Sequence, residues 1–360
     1  MIRIKDIAKE ANVSEGTVDR VLHNRGGVSS KTEAKIRKIL ERRNYSINPV
    51  ASALAMKNKH NIAVLIPEYN ETDSFWKSPY LGVLKASDEV KNIGIQVNYF
   101  KFNQYAPTSY LESFEALLKT QPTAVIFAPT FLNETQKIAK QLEAVDIPYL
   151  FLNIDIEGFN NLTYIGQDSY TSGYIAGKLM HLGMEKDSKI LIIQSRENSG
   201  DNNAISKRIH GFNDFFKDHT PDTTPVNLKI ENLNDISKTQ QNIKTCLDSH
   251  ELITGIFIPS SRTSVIVDCL NQTDYKGFKI IGFDNTPQNV DCLKNDDMSF
   301  LISQKPFEQG YESIRVMSDY LLKSKVPNDK VYLPIDILIK ENVVYNDMNQ
   351  LMFENAISES

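Results

Sequence analysis

Ile4, Ile7, Ala8 and Ala11 recur with the 3.6-residue period of a helix and predict two turns with one apolar stripe. Asn12-Val13 then reads as a turn. Ser14 stands where its hydroxyl can satisfy an orphan N–H at the start of a second helix, whose apolar face is Val18, Val21 and Leu22. Glu15, Gly16, Asp19 and Arg20 are left facing outward. Gly26-Gly27 breaks the chain, and Ser30-Lys31-Thr32-Glu33 reads as a capping box opening a third helix with Ala34, Ile36, Ile39 and Leu40 buried. Three such helices can share one small core and leave the polar start of the second free to enter a major groove. Periodicity alone also fits an ordinary three-helix bundle.

From residue 60 the pattern changes to short apolar runs alternating with amphipathic stretches. Strands are expected over 62–66, 96–100, 124–127, 149–152, 189–193, 226–230, 255–258 and 279–283. Helices are expected between them, over 81–92, 109–118, 136–145, 171–182, 205–216, 237–248 and 264–270. Such alternation predicts parallel sheets covered by helices on both faces, and the stretch 60–345 is long enough for two of them in tandem.

Composition adds a division of charge. The chain has 360 residues and a net charge of −5, which alone argues against nucleic acid. Residues 1–60, however, carry 13 Lys/Arg against 6 Asp/Glu, a net of +7, and the remaining 300 carry 27 against 39, a net of −12. A basic N-terminal module on an acidic body is the asymmetry expected when one end meets phosphates. An apolar content of 41% suits sizeable cores. No run approaches the ~18 apolar residues of a membrane helix, and the N-terminus is a charged amphipathic helix instead of a signal-peptide core, so the cytoplasm is the expected compartment. Cys246, Cys269 and Cys292 are far apart and lack C-x-x-C spacing, so they read as packing residues with no disulfide.

An α/β body also suits enzymes, but the signatures of enzyme sites are missing. The first strand runs into Ile66-Pro67-Glu68-Tyr69 instead of G-x-G-x-x-G, and Gly173-Tyr174-Ile175-Ala176-Gly177-Lys178-Leu179 lacks the spacing and the Ser/Thr of a phosphate loop. The six histidines form no H-x-x-x-H or H-E-x-x-H pair. We therefore expect no enzyme, no cofactor and no metal.

The residues go further than periodicity. The runs Ile4-x-Asp6-Ile7-Ala8-x-x-Ala11-x-Val13-Ser14-x-x-Thr17-Val18-x-Arg20-Val21-Leu22, Val28-Ser29-x-x-Thr32 and Asn44-Tyr45-x-x-Asn48-x-x-Ala51-x-x-Leu54 closely resemble the headpiece of the LacI/GalR family of bacterial transcription regulators. The resemblance implies a helix-turn-helix DNA-binding domain over 1–46 and a hinge over 47–59. The hinge would fold into a helix only on operator DNA, with Asn48 and Ala51 against the DNA and Leu54 wedged between base pairs in the minor groove. The same stretch also reads as a plain linker. Phosphate contacts are implied for Ser14, Thr17, His23, Ser29 and Thr32, although His23 reads equally as a solvated surface residue. The usual base-reading positions carry Glu15 and Gly16. Gly16 cannot hydrogen-bond a base, and Glu15 either accepts from a cytosine amino group or repels the wrong sequence. Arg20 is left as the strongest base reader, able to pair bidentately with guanine for roughly 1–3 kcal/mol of discrimination.

In the body, Ile147 to Leu152, Tyr164-Ile165-Gly166-Gln167-Asp168, Arg208-x-x-Gly211-Phe212, Ile281-Gly282-Phe283-Asp284 and Ser303-Gln304-Lys305-Pro306 resemble the type I periplasmic sugar-binding fold. The implied effector domain, 60–346, has two doubly wound parallel-sheet α/β lobes joined by crossovers near 166, near 303 and over 325–332. The first lobe would take about 60–165 and 304–325, the second about 166–303 and 331–346, with a tail over 347–360. The cleft between them would receive Phe75, Trp76, Asn153, Asp155, Arg208, Asp284 and Gln304. A sugar has apolar faces and hydroxyl edges, so an aromatic platform with Asp, Asn and Arg partners suits it. A lone tryptophan such as Trp76 is otherwise core filler, and Arg208 and Asp284 could instead cap a helix or pair on the surface. Ile154 and Ser260-Ser261 depart from the residues common in sugar-binding relatives, which leaves a phosphosugar, a polyol or a nucleobase open beside a carbohydrate. The reading is a homodimeric, ligand-responsive repressor of carbohydrate-utilisation genes on a palindromic double-stranded operator, with the tetramer left open. The alternatives are a solute-binding protein or an α/β enzyme.

Overall fold

The computed structural model describes residues 4–22, 26–43, 60–71, 74–185, 188–194, 204–273 and 277–358. Helices α1 (Ile4–Ala11), α2 (Glu15–Leu22) and α3 (Ser30–Arg42) close around one core of Ile7, Ala8, Ala11, Val18, Val21, Ile36 and Ile39. The turn after α1 works because Asn12 takes a φ of 58°, which Asn tolerates better than most residues. Glu10 pairs with both Arg42 and Arg43, fastening the end of α3 to α1. The cap of α3 lies one residue earlier than expected: Ser29 accepts from the Thr32 N–H at 3.3 Å and Ser30 is already helical. Ala34 is exposed, since it sits about 160° around the helix from Ile36.

The body's strands form two sheets. The first contains β1 (His60–Pro67), β2 (Ile95–Phe102), β3 (Ala124–Phe127), β4 (Tyr149–Leu152), β5 (Tyr164–Gly166) and β11 (Lys330–Tyr332), in the order β11-β5-β4-β3-β1-β2. The second contains β6 (Lys189–Gln194), β7 (Val226–Lys229), β8 (Ile253–Phe257), β9 (Lys279–Phe283), β10 (Phe300–Ser303) and β12 (Asp336–Leu338), in the order β12-β10-β9-β8-β6-β7. Among the described residues every pairing is parallel except β10 with β12. The two orders are equivalent strand for strand, so each lobe reverses its winding at its first strand and opens a crevice there. Helices α4 (Lys77–Val90), α5 (Pro107–Leu118) and α6 (Leu132–Glu143) cover the first sheet; α7 (Ser169–Gly183), α8 (Ala204–His219), α9 (Ile236–Ser249), α10 (Thr263–Asn271) and α11 (Pro287–Lys294) cover the second.

The chain passes between lobes after β5, after β10 and after β11. Helix α12 (Pro306–Lys323) returns to the first lobe and packs on α4. The last passage comes later than expected: Val331 and Tyr332 pair with Ile165 and Gly166 in the first sheet, so the crossing runs over 333–335 and the second lobe resumes only at β12. Three-residue strands such as β5, β11 and β12 are too short to announce themselves by period.

One helix pair in each lobe meets backbone to backbone. A Cβ on Gly82 of α4 would lie 1.9 Å from the Phe307 carbonyl of α12, and one on Gly173 of α7 would lie 1.9 Å from the Arg208 carbonyl of α8. The second contact positions Arg208. Gly82→Ala should therefore destabilise the protein by about 1–3 kcal/mol, the usual cost of overpacking, in urea denaturation; unchanged stability would show that α4 and α12 do not approach this closely.

Candidate functional site

On the headpiece, Ser14 accepts from the Thr17 N–H at 3.1 Å, and the two hydroxyls lie 2.8 Å apart; Ser29 and Thr32 repeat the arrangement, also with hydroxyls 2.8 Å apart. Each pair stands at a helix start, where free N–H groups and the helix dipole favour an anion. Glu15 and Gly16 are exposed on the first turn of α2, with nothing closer than the Ser14 hydroxyl, 3.9 Å from a Cβ built on Gly16. Arg20 is exposed, its Nη1 lying 3.0 Å from where a Cβ on Gly27 would stand; Gly27 itself has a φ of 91°, so a side chain there would be strained and crowd the guanidinium. His23, Asn48, Ala51, Leu54 and the rest of the 47–59 hinge lie outside the described residues.

In the body, the strand ends of both lobes converge. Asn153 after β4 and Asp284 after β9 are both buried with left-handed φ values, 68° and 67°. Gln304 at the second crossover joins them: its Oε1 accepts from Asn153 Nδ2 at 3.0 Å and its Nε2 donates to Asp284 Oδ1 at 2.6 Å. Arg208, 3% exposed, lies over the Phe283 ring at 4.0 Å and donates to the Pro259 carbonyl at 2.9 Å. Burial pushes the Asp284 carboxyl up while Arg208 and Gln304 hold it down; burial likewise pulls the Arg208 guanidinium down against the pull of Asp284. Arg208 Nε and Gln167 Oε1 are buried with no hydrogen-bond partner among the described residues. Orphaned polar atoms are rare in finished cores and mark a place for a polar ligand.

None of Asn153, Asp284, Gln304 and Arg208 lines the cavity of about 330 Å3 between the lobes, whose walls are Glu71, Ser74 and Phe75 of the first lobe and residues including Asn234, Ser261, Arg262 and Gln288 of the second. Its size is near the lower end for small-molecule sites, roughly 300–1,000 Å3. Phe75 forms part of the wall. Trp76 packs edge-on against Phe75 at 5.3 Å and belongs to the first lobe's core. Asp155 is engaged elsewhere, between Lys207 of the second lobe at 3.1 Å and Lys330 of the first at 2.7 Å, as an ion bridge between lobes.

The sequence reading missed two buried amides. Gln309 of α12 accepts from Asn153 at 3.0 Å and donates to the Gln304 carbonyl at 2.7 Å. Asn289 of α11, fully buried, points its Nδ2 at the carbonyls of Ser261, Phe283 and Asp284 and accepts from the Ser264 N–H. It thereby sets the shape of the loops after both β8 and β9. A polar residue on the apolar face of each helix was the available signal.

A basic helix-turn-helix headpiece joined to a two-lobed, ligand-accepting body defines a DNA-binding protein governed by a small molecule. Comparison with known proteins agrees. Residues 3–48 match the bacterial regulatory proteins of the lacI family, and 62–325 match the periplasmic binding protein domain. The sucrose operon repressor of Staphylococcus xylosus is 27% identical over 180 residues, half of this chain and 52% of that protein. Catabolite control protein A of Staphylococcus aureus is 23% identical over 349 residues, 92% of this chain and 96% of that one. Among solved structures, one assigned as a LacI transcriptional regulator from Bacteroides fragilis is 29% identical with a TM-score of 0.72, covering 80% of this chain and 99% of the other. Over most of its length the chain belongs to the periplasmic binding protein domain family, and its N-terminus is the DNA-binding domain of the lacI family of bacterial regulatory proteins. It is a ligand-responsive, DNA-binding transcriptional repressor, and its relatives are regulators, not enzymes. Among the described residues no helix is long and apolar enough to cross a membrane.

Asn289→Ala should cost about 3 kcal/mol, because it strands several buried carbonyls and an N–H together. Urea denaturation followed by fluorescence measures this, and a cost below about 1 kcal/mol would mean the amide does not hold the two loops.

Proposed function

We propose that this protein represses genes of carbohydrate use from the cytoplasm, holding a near-palindromic operator as a homodimer until a sugar-like effector enters the inter-lobe cleft. The observation that carries this reading is the buried set Asn153, Gln304, Asp284 and Arg208, which draws on both lobes and the crossover between them and includes a guanidinium nitrogen with no partner among the described residues. The sucrose-operon control named for one relative supports a carbohydrate. A ligand bound there touches both lobes, so its binding energy depends on their separation. Separation of the lobes in turn sets the spacing of the two headpieces across the dimer, and by linkage operator and effector change each other's affinity by one factor.

On the DNA, Ser14, Thr17, Ser29 and Thr32 contact phosphates, Arg20 reads a guanine, and Glu15 selects cytosine or rejects other bases. His23 joins the phosphate contacts, and Asn48, Ala51 and Leu54 act in the minor groove. In the cleft, Phe75 supplies the apolar wall, with Trp76 behind it, and Asp155 acts by bridging the lobes. The protein performs no chemistry on its ligand.

Arg20→Ala should relax base preference at one position in a binding-site selection by roughly tenfold, the loss of one bidentate contact. An unchanged preference removes Arg20 from the readout. Asp284→Ala should abolish the response to any sugar identified by thermal-shift screening while leaving ligand-free DNA binding intact; a variant that still responds refutes this cleft as the effector site.

A further inference from the structure

The C-terminal run from Asn346 through α13 (Met348–Ser358) belongs to neither sheet and touches both lobes. One end of it is knotted to the second lobe. Asn285, the residue after Asp284, donates from Nδ2 to Asp347 Oδ2 at 2.5 Å and to Asn346 Oδ1 at 2.8 Å, while its Oδ1 accepts from Ser303 Oγ at 3.1 Å. Lys305, across the crossover from Ser303, pairs with Asp336 at 2.7 Å, and Asn346 donates to the same carboxylate at 2.5 Å.

From this knot α13 runs to the first lobe. Gln350 accepts from Ser78 Oγ at 2.5 Å, and Glu354 pairs with Lys77 at 3.1 Å. Phe353 packs between the Phe307 ring, 6.2 Å away, and the Lys85 ammonium, 5.6 Å away. Lys77 and Ser78 directly follow Trp76. One short helix thus holds the residue after Asp284 at one end and the residues after Trp76 at the other.

We propose that α13 is a strap across the effector cleft, anchored at Asn285 on the second lobe and at Lys77, Ser78 and Phe307 on the first, through which Asn285 and Asp347 act as positioning residues for the lobes' closure. Opening the lobes draws Asn285 away from Ser78, and one end must release. The second-lobe end is held through the hydrogen bonds of Asn285. Burial pushes the Asp347 carboxyl up to about 6, with Asn285 and Lys305 opposing and Glu308 and Glu354 adding to the rise, whereas the first-lobe end keeps the apolar contact of Phe353. The strap therefore resists opening and sets how readily an effector enters. Only this consequence rests on the cleft being the effector site; the strap itself is testable without a ligand.

Trp76 is the single tryptophan of the chain and, 5% exposed against the cavity-wall residue Phe75, reports on opening of the lobes. Acrylamide quenching of its fluorescence in the full-length protein should rise about threefold to tenfold in Asn285→Ala and in Asp347→Ala, the change in a local opening equilibrium that a lost hydrogen bond of ordinary net strength produces. The double variant should be no more quenched than Asn285→Ala alone, because that change already breaks the link to Asp347. Asp347→Asn keeps an acceptor and should stay near wild type. Equal quenching in wild type and Asp347→Ala, or additive effects in the double variant, overturns the strap. Asp347 belongs to neither sheet, so Asp347→Ala with its Asn counterpart decides the matter even if Asn285→Ala fails to fold.

Discussion

A single buried amide at the second crossover, Gln304, is hydrogen-bonded to both lobes at once, accepting from Asn153 of the first and donating to Asp284 of the second. Much of what the body can do depends on that arrangement. A buried carboxylate without a partner would be costly, and a crossover without side-chain contacts would leave the lobes free to swing. Joining the two problems puts the buried carboxylate and the link between lobes on the same few residues. Asp155, between Lys207 and Lys330, adds a second inter-lobe contact.

That network can be held only by a stiff frame. In each lobe one helix pair meets through glycine, Gly82 and Gly310 on α4 and α12, Gly173 and Gly211 on α7 and α8, with backbone oxygens where side chains would otherwise stand. Such close pairs leave little room for a helix to slide. Arg208, on the α8 face that meets Gly173, is consequently placed by backbone packing as well as by its own hydrogen bond. Asn289 does the corresponding work for the loops after β8 and β9.

The headpiece follows a different economy. Its core is small, and its side-chain hydroxyls at Ser14, Thr17, Ser29 and Thr32 are already used to cap helices. They remain at the helix starts, where free N–H groups and the helix dipole favour an anion. Gly16 offers no side chain on α2, and the first 60 residues carry a net positive charge of the kind that favours phosphates whatever the base sequence.

Periodicity and charge, both local along the chain, were enough to reveal the three headpiece helices, the alternating body and the separation of a DNA-facing end from an acidic one. Family-like runs singled out a set of polar body residues, of which Asn153, Gln304 and Asp284 are joined by hydrogen bonds. The tertiary structure alone decided the rest. It sent Asp155 to an ion bridge and Trp76 into the core, moved the last crossover to 333–335, brought in Gln309 and Asn289, and laid the C-terminal helix across to α4. These outcomes depend on which distant carbonyl or charge lies within about 3 Å of a side chain. A linear pattern carries no such distance, because a polar residue on a helix reads the same whether it faces water or the one buried carbonyl that needs it.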